Sequence, residues 1–481
     1  MSETTDGTNK VSAFPSKAFF VGMLTRDIEL KDAILDLLDN CVDGILRTIK
    51  NTAAADREKP YEGYWAELVL DEDLFCIKDN CGGIPRKVAE DHAFRLGRPD
   101  LERDKDLPTV GMYGIGMKRA IFKMGRSCTV TTRHGDEAYK VTISPEWLED
   151  DDDWELPLEM VSASGMENGT TIEIGMLHDH VKHAFSPTKS PFVDDFKFTV
   201  SAHYSYIIHK GFSISVKIGD EPQDIAPRSI GIQFTSPDKA PDNQRLAPFI
   251  YEGTHNGVDI NLIVGLYREL PGDEEIESDL EGRSGSSDNA GWTIICNDRV
   301  VVYCDKTRLT GWGEAGVPKY HTQFISITGV VHFRSTDAAK LPVTTTKRGI
   351  DGNSDTYLAV KDIMREGLKH FTSYTYKWKS PSTEREEITN NAESVDIFQV
   401  SKLIPEGSWA EVKRQDYTGK KYVPKLPAPV TDNGMKQIRF SRPTRDIKLV
   451  SEHVLGDPDQ PASEVGAKCF DNYLKKAKAK K

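Results

Sequence analysis

The run Leu30–Ile49, LKDAILDLLDNCVDGILRTI, places apolar residues at 30, 33, 34, 37, 38, 41, 42, 45, 46 and 49. That recurrence is the period of an amphipathic helix held over about five turns. Off the apolar stripe stand Asp36, Asn40 and Asp43, spaced i, i+4 and i+7, so they project the same way. Taken alone, such a row is the solvated acidic face of an ordinary helix. Its weight comes from the segments that follow.

A polar stretch at 51–63 leads to WAELVL and FCIKD, two β-rich runs that predict a hairpin ending in a loop. The loop is Asp79-Asn80-Cys81-Gly82-Gly83-Ile84, a carboxylate directly after a strand and two glycines that fit either a tight turn or a ligand against bare backbone. A short helix is expected from Arg86 to about Leu96, and the charged, breaker-rich GRPDLERDKDLP (97–108) reads as a surface segment able to serve as a lid. Next, Gly111-Met112-Tyr113-Gly114-Ile115-Gly116-Met117-Lys118 opens a helix that runs to Met124. Glycine-lined amides at a helix N-terminus favour phosphate. Strands are expected at SCTVTTR, AYKVTIS and GTTIEIG, the last preceded by Asn168 and separated from the second by an acid run at 149–155 that reads as an exposed turn. Asn168-Gly169-Thr170-Thr171 alone would be only a hairpin turn leading into a strand.

At 481 residues the chain exceeds one ordinary core, and two or three domains are expected. Hydrophobic residues at 38% and charged residues at 28% fit a globular protein, and no apolar run reaches the roughly 20 residues that span a bilayer. The opening MSETTDGTNKVSAF has neither a charged n-region nor an apolar h-region, so a cytosolic (cytoplasmic) place is expected, with no membrane partner. Seven scattered cysteines without a CxxC pair read as reduced thiols rather than ligands. A net charge of −13 argues against an extensive nucleic-acid-binding surface, and the lysine-rich 475–481 reads as a solvated end.

The four elements, in this order and spacing, resemble the N, G1, G2 and GT boxes of the GHKL ATPases, the family of gyrase B subunits, MutL, the large heat-shock chaperones and histidine-kinase catalytic domains. The resemblance extends by motif from about Phe19 to Ile174. It implies ATP and Mg²⁺ as ligands, with Asn40 on the metal and Asp36 orienting the attacking water. Asp79 accepts the adenine amino proton, Thr170 completes that contact, and Gly83 and Ile84 lie along the base. Gly114, Gly116, Met117 and Lys118 cradle the phosphates. Two departures are an aspartate at 36 where the family more often has glutamate, and Cys81 where glycine is common.

Proline-rich sequence near 225–242 marks a boundary between about 215 and 230, after which VDINLIVGLY, GWTIICNDRVVVYC and FISITGVVHF predict strands and 355–376 a helix. After VVHF comes Lys340-Leu341-Pro342-Val343-Thr344-Thr345-Thr346-Lys347-Arg348-Gly349, which resembles the transducer loop whose lysine reaches the γ-phosphate. Lys347 takes that role, against the plainer reading of a basic turn. The implied fold is α/β (α+β): a Bergerat-type α/β sandwich (1–220), a ribosomal-S5-like α+β transducer (221–380) and a C-terminal extension (381–481), with a short strand at KQIRFS and a helix near 465–476. VGMYGIGMKRAIFKMG and FRLGRPD are similar to MORC-like ATPases and their bacterial relatives, and the region before the first long helix is too short for a phosphoacceptor-histidine domain. The expected activity is a slow ATPase that forms an ATP-dependent homodimer and clamps DNA or a protein client. The alternative is a nucleotide-sensing module with little or no turnover.

Overall fold

The computed structural model describes residues 16–50, 52–95, 109, 114–186, 188, 190–219, 221–272, 274–276, 288–344, 347, 349–379, 382–414, 417–429, 438 and 440–478. The segment read as a lid, 97–108, lies outside them, as do Gly111, Met112 and Tyr113 of the glycine-rich loop.

After α1 (Lys17–Thr25), helix α2 (Leu30–Ile49) covers the predicted run from end to end. Its apolar stripe sinks into a core shared with β1 (Trp65–Leu70) and β2 (Phe75–Asp79), which pair antiparallel as the hairpin reading expects. Alternate residues of β1, Ala66, Leu68 and Leu70, point into that core, the period-2 pattern of a half-buried strand. The helix expected from Arg86 is shorter: α3 (Arg86–Val88) is a single turn that passes into a π-helical turn, Ala89–Ala93. Then follow α4 (Gly116–Met124), β3 (Gly125–His134), β4 (Glu137–Ile143), α5 (Pro145–Glu149), β5 (Leu158–Met160) and β6 (Gly169–Leu177). Helices α6 (Asp179–Phe185), α7 (Phe192–His203) and α8 (Ser205–His209) lead to β7 (Ser213–Ile218) and β8 (Glu221–Asp224). The sheet order is β5-β4-β3-β6-β2-β1-β7-β8, antiparallel except for the β1–β7 pair.

The acid run after α5 does more than turn. Lys17 is fully buried there, its Nζ 3.8 Å from the Trp147 ring centroid and donating to the Trp147 carbonyl at 2.6 Å and to that of Asp153. An ammonium so placed gains both cation–π and hydrogen-bond stabilisation, and it pins α1 to α5.

A second sheet runs β13-β12-β14-β11-β10-β17-β16. Its strands are β10 (Phe249–His255), β11 (Val258–Leu266), β12 (Gly291–Cys296), β13 (Arg299–Asp305) and β14 (Ile327–Arg334), joined after residue 380 by β16 (Ala410–Arg414) and β17 (Tyr417–Tyr422). A separate pair is formed by β9 (Gly231–Phe234) and β15 (Glu393–Asp396). One face of the second sheet is covered by α9 (Asp355–Lys377), whose Tyr357, Val360, Met364, Leu368 and Phe371 are buried with Phe249, Leu262 and Val264 of the sheet. Gly367 permits the approach, since a Cβ there would stand 2.5 Å from Val264 Cγ1. Helix α10 (Thr383–Asn390) follows α9.

The contact pattern divides the chain at residue 428. Within 429–481, α11 (Thr444–Leu455) and α12 (Ala462–Lys478) form a hairpin whose turn is held by Ser451 Oγ donating to the Asp457 carbonyl at 2.6 Å. Of the strand expected at 436–441, residues 438, 440 and 441 have no strand geometry and the rest lie outside the described residues. Among the described residues no helix is long and apolar enough to cross a membrane.

Candidate functional site

Helix α2 is packed on both sides, so its polar row is not a solvated face. Asp36, Asp39 and Asp43 are all buried, whereas Asn40 is exposed. Isolated carboxylates in such surroundings cost several kcal/mol each, so they require partners. Asp36 pairs through Oδ2 with Arg119 Nη2 of α4, and its Oδ1 lies 3.5 Å from Lys347 Nζ. Lys347 Nζ is closer to Asp39 Oδ2, at 2.8 Å. On the other side of Asp39, Arg299 Nε is 3.6 Å from Oδ1, and the Tyr204 hydroxyl lies 2.5 Å from the same oxygen. Burial raises the Asp39 carboxyl, but Arg299 and Lys347 outweigh it and hold the group below its usual range. Burial likewise opposes the charge on Lys347, and Asp39 and Asp36 reverse that, raising it above the usual lysine range. The cluster is a network of two carboxylates and three basic side chains drawn from four segments.

Lys347 sits in a left-handed backbone conformation, φ 56°, sparsely populated for a lysine. The turn closes by Lys347 N–H donating to the Thr344 carbonyl at 2.9 Å and Thr344 N–H to the Gly349 carbonyl at 3.0 Å, beside a Val343–Ile350 bridge. Arg299 leaves the β12–β13 turn, where Asn297 and Asp298 both have positive φ, as a two-residue hairpin turn requires. Each residue of that turn reaches out of the second sheet. Asn297 donates to the Ser335 carbonyl at 2.9 Å and lies 3.4 Å from that of Thr109, and Asp298 accepts from Lys210 at 2.8 Å and from Tyr61 at 2.6 Å. Arg299 stacks 4.2 Å from the Tyr204 ring, and among the described residues its Nε and Nη1 have no hydrogen-bond partner.

Helix α4 begins at Gly116, one residue after Ile115, with no side-chain cap on its first-turn amides. Amides at the start of a helix favour an anion. Gly116 is pressed against Asp36, where a Cβ would stand 3.2 Å from the Asp36 side chain, and Gly114 has φ 66°. Met117 and Lys118 are buried. Lys118 Nζ donates to the Ala93 carbonyl at 2.9 Å and to that of Gly114, and burial lowers it to about 8. The basic side chain facing α2 is thus Arg119, its neighbour.

Asp79 ends β2 half-buried. Its Oδ1 accepts from Cys81 N–H at 2.7 Å, and Cys41 Sγ lies 3.6 Å from its Oδ2. Burial raises the carboxyl to about 6 despite those donors and the Thr170 N–H. Gly83 has φ 72° and no room for a Cβ, which would fall on the Arg133 carbonyl. Ile84 N–H donates to Thr132 Oγ1 at 2.9 Å, and Thr132 Oγ1 is 3.2 Å from Thr170 Oγ1 across the β3–β6 pair. Gly83, Ile84, Thr170 and Asp79 are in this way drawn to one end of the first sheet.

Sequence reasoning passed over Asp39, Arg119, Thr132, Tyr204 and Arg299. Asp39 stood in the quoted DLLDN itself, three residues past Asp36, close enough to share its cations. Asn40, exposed on α2, offers an amide oxygen that fits a hydrated divalent ion held mainly by phosphate oxygens. A comparison with curated proteins finds no match. Residues 28–173, from the turn before α2 into β6, match the family model described as histidine kinase-, DNA gyrase B- and HSP90-like ATPase, which supports a GHKL-type ATP-binding segment there.

Proposed function

We propose that the chain binds Mg·ATP between α2, the β2 loop, the start of α4 and β6, hydrolyses it slowly, and uses Lys347 to couple nucleotide state to the second sheet. The observation carrying this reading is the meeting of Lys347 with Asp36 and Asp39, residues 311 and 308 positions away in the chain. Asp79, ionised above about pH 6, accepts from the adenine amino group, with Thr170 and Thr132 beside it and the Gly83–Ile84 backbone along the base. The open first turn of α4, with Gly114, Gly116 and Met117 along it, receives phosphate oxygens. Lys118 steadies that turn through the Gly114 carbonyl. Asn40 holds Mg²⁺ through its amide oxygen, and the ion neutralises phosphate charge.

Asp36 orients the attacking water, and Arg119 and Lys347 supply positive charge around it. The γ-phosphate offers Lys347 a stronger partner than the two carboxylates, so ATP, unlike ADP, shifts the Lys347 loop and with it the second sheet. Arg299 stays with Asp39 when Lys347 leaves, its Nε already 3.6 Å from Asp39 Oδ1. In this reading residues 1–220 form the nucleotide-binding part, the transducer begins near 221 and gains β16 and β17, and an ATP-dependent dimer acts as a clamp on DNA or a protein. One observation favours the second reading, nucleotide sensing with little turnover: Asp36 Oδ2 is already engaged by Arg119, so that oxygen is taken from the task of orienting a water.

The test is phosphate release from Mg·ATP by the full chain against Asp36→Asn. Loss of a positioned acid–base group predicts a rate about 10²-fold lower or more in the variant, with ATP binding retained. Equal rates at background level select the sensing reading.

A further inference from the structure

Beneath Asp79 lie two thiols that nucleotide binding does not use. Cys41 follows Asn40 on α2 and Cys81 follows Asp79 by two residues; both are buried, and they come together from positions 40 apart in the chain. Both sulfurs and an Asp79 carboxylate oxygen lie within 4.8 Å of one another. Asp79 Oδ2 is 3.6 Å from Cys41 Sγ, and Oδ1 is fixed by the Cys81 amide, so the carboxylate is already oriented between the thiols. In a tetrahedral zinc site with bonds of about 2.3 Å to sulfur and 2.0–2.2 Å to oxygen, the ligand atoms stand roughly 3.4–3.8 Å apart. Contracting the present triangle to that size requires shifts of about 1 Å or less. Two thiolates and one carboxylate select a soft or borderline ion over Mg²⁺, which demands oxygen ligands.

We propose that Cys41, Cys81 and Asp79 form a site for one zinc-class divalent cation, with its fourth position open to the pocket, and that this ion and ATP exclude each other. The exclusion rests on the proposed function, because metal and adenine compete for the same Asp79 carboxylate; the metal site itself does not. Cysteine thiols ordinarily keep their protons near neutral pH. Binding is then M²⁺ + 2 RSH + RCOO⁻ → M(SR)₂(OOCR)⁻ + 2 H⁺, with the protons released to solvent and nothing oxidised or reduced.

The probe is Cd²⁺ added to the full chain under a phosphine reductant, read by thiolate-to-cadmium charge-transfer absorption, with ATP binding followed in parallel. One Cd²⁺ per chain is expected. Cys41→Ser and Cys81→Ser should each weaken it by more than the roughly 10–100-fold that changes around a ligand cost. The wild-type chain should need more Cd²⁺ as ATP is raised, a readout that survives if either serine variant fails to fold. Absorption that persists unchanged in the double variant, or its absence in the wild type, overturns the site; ATP bound with unaltered affinity at saturating Cd²⁺ overturns the exclusion. A cadmium band dependent on both cysteines in a chain that never binds ATP would uphold the site while the nucleotide reading failed.

Discussion

Two long amphipathic helices, α2 and α9, each lie on a sheet, and they treat buried polarity differently. In α9 the buried polar groups are neutral hydroxyls: Thr372 Oγ1 turns back to the Leu368 carbonyl at 2.8 Å and Thr375 Oγ1 to that of Phe371 at 3.0 Å, while the Tyr357 hydroxyl donates to the Leu309 carbonyl at 2.7 Å. In α2 they are carboxylates, and those of Asp36 and Asp39 are neutralised by α4, the β12–β13 turn and the 344–349 loop. A helix that satisfies itself can be covered for stability alone. One whose charges depend on distant segments ties its own energy to their positions, which is what a nucleotide-responsive element requires.

The sharpest way to break this contrast is Asp39→Asn. It leaves Arg299 and Lys347 buried with one carboxylate fewer, and loss of a buried partner typically costs about 3–5 kcal/mol. Because Asp36 stays within 3.5 Å of Lys347, the lower end is expected, read as a drop in unfolding midpoint in urea.

Acid probes the same seam. His203 Nδ1–H donates to the Val300 carbonyl at 2.6 Å, and His332 lies 3.6 Å from Asp298; burial lowers both imidazoles to about 4. A native value depressed below the unfolded 6.5 means each group is at full stability above pH 6.5 and loses it as pH falls toward 4. Shifts of this size amount to about 3 kcal/mol each at the lower limit. Urea unfolding at pH 7 and pH 4.5 should show a marked loss that His332→Gln reduces. A loss of equal size in that variant would place the sensitivity elsewhere. The smallest effect belongs to α9: Thr372→Val keeps the shape and removes a self-satisfied hydroxyl, so stability should change by about 1 kcal/mol or less.

What could be read from the chain follows the range of the interactions. Helix α2, the β1–β2 hairpin and α9 are set by short-range periodicity and turns, and they appear where expected, whereas GWTIICNDRVVVYC, read as one strand, is the two-stranded β12–β13 hairpin. The charge cluster is not local. Which of Lys118 and Arg119 faces α2 depends on the phase of α4 against a neighbour 83 residues earlier, and a row of aspartates looks solvated until a second helix and a second sheet cover it. Cys41 and Cys81 show no metal spacing because one lies on a helix and the other on a loop. Lys347 is singled out by the resemblance of its loop alone, and the structure places its ammonium against Asp36 and Asp39.

Central to the account is that Lys347 and the α2 carboxylates form one nucleotide-responsive site. Titration calorimetry of the full chain with Mg·ATP and Mg·ADP, repeated on Lys347→Met, addresses it directly. Wild-type chain should bind ATP at least about tenfold more tightly than ADP, a coupling of about 1.4 kcal/mol, and the variant should bind both alike. No heat of binding with either nucleotide, or a preference for ATP that survives in Lys347→Met, would contradict it.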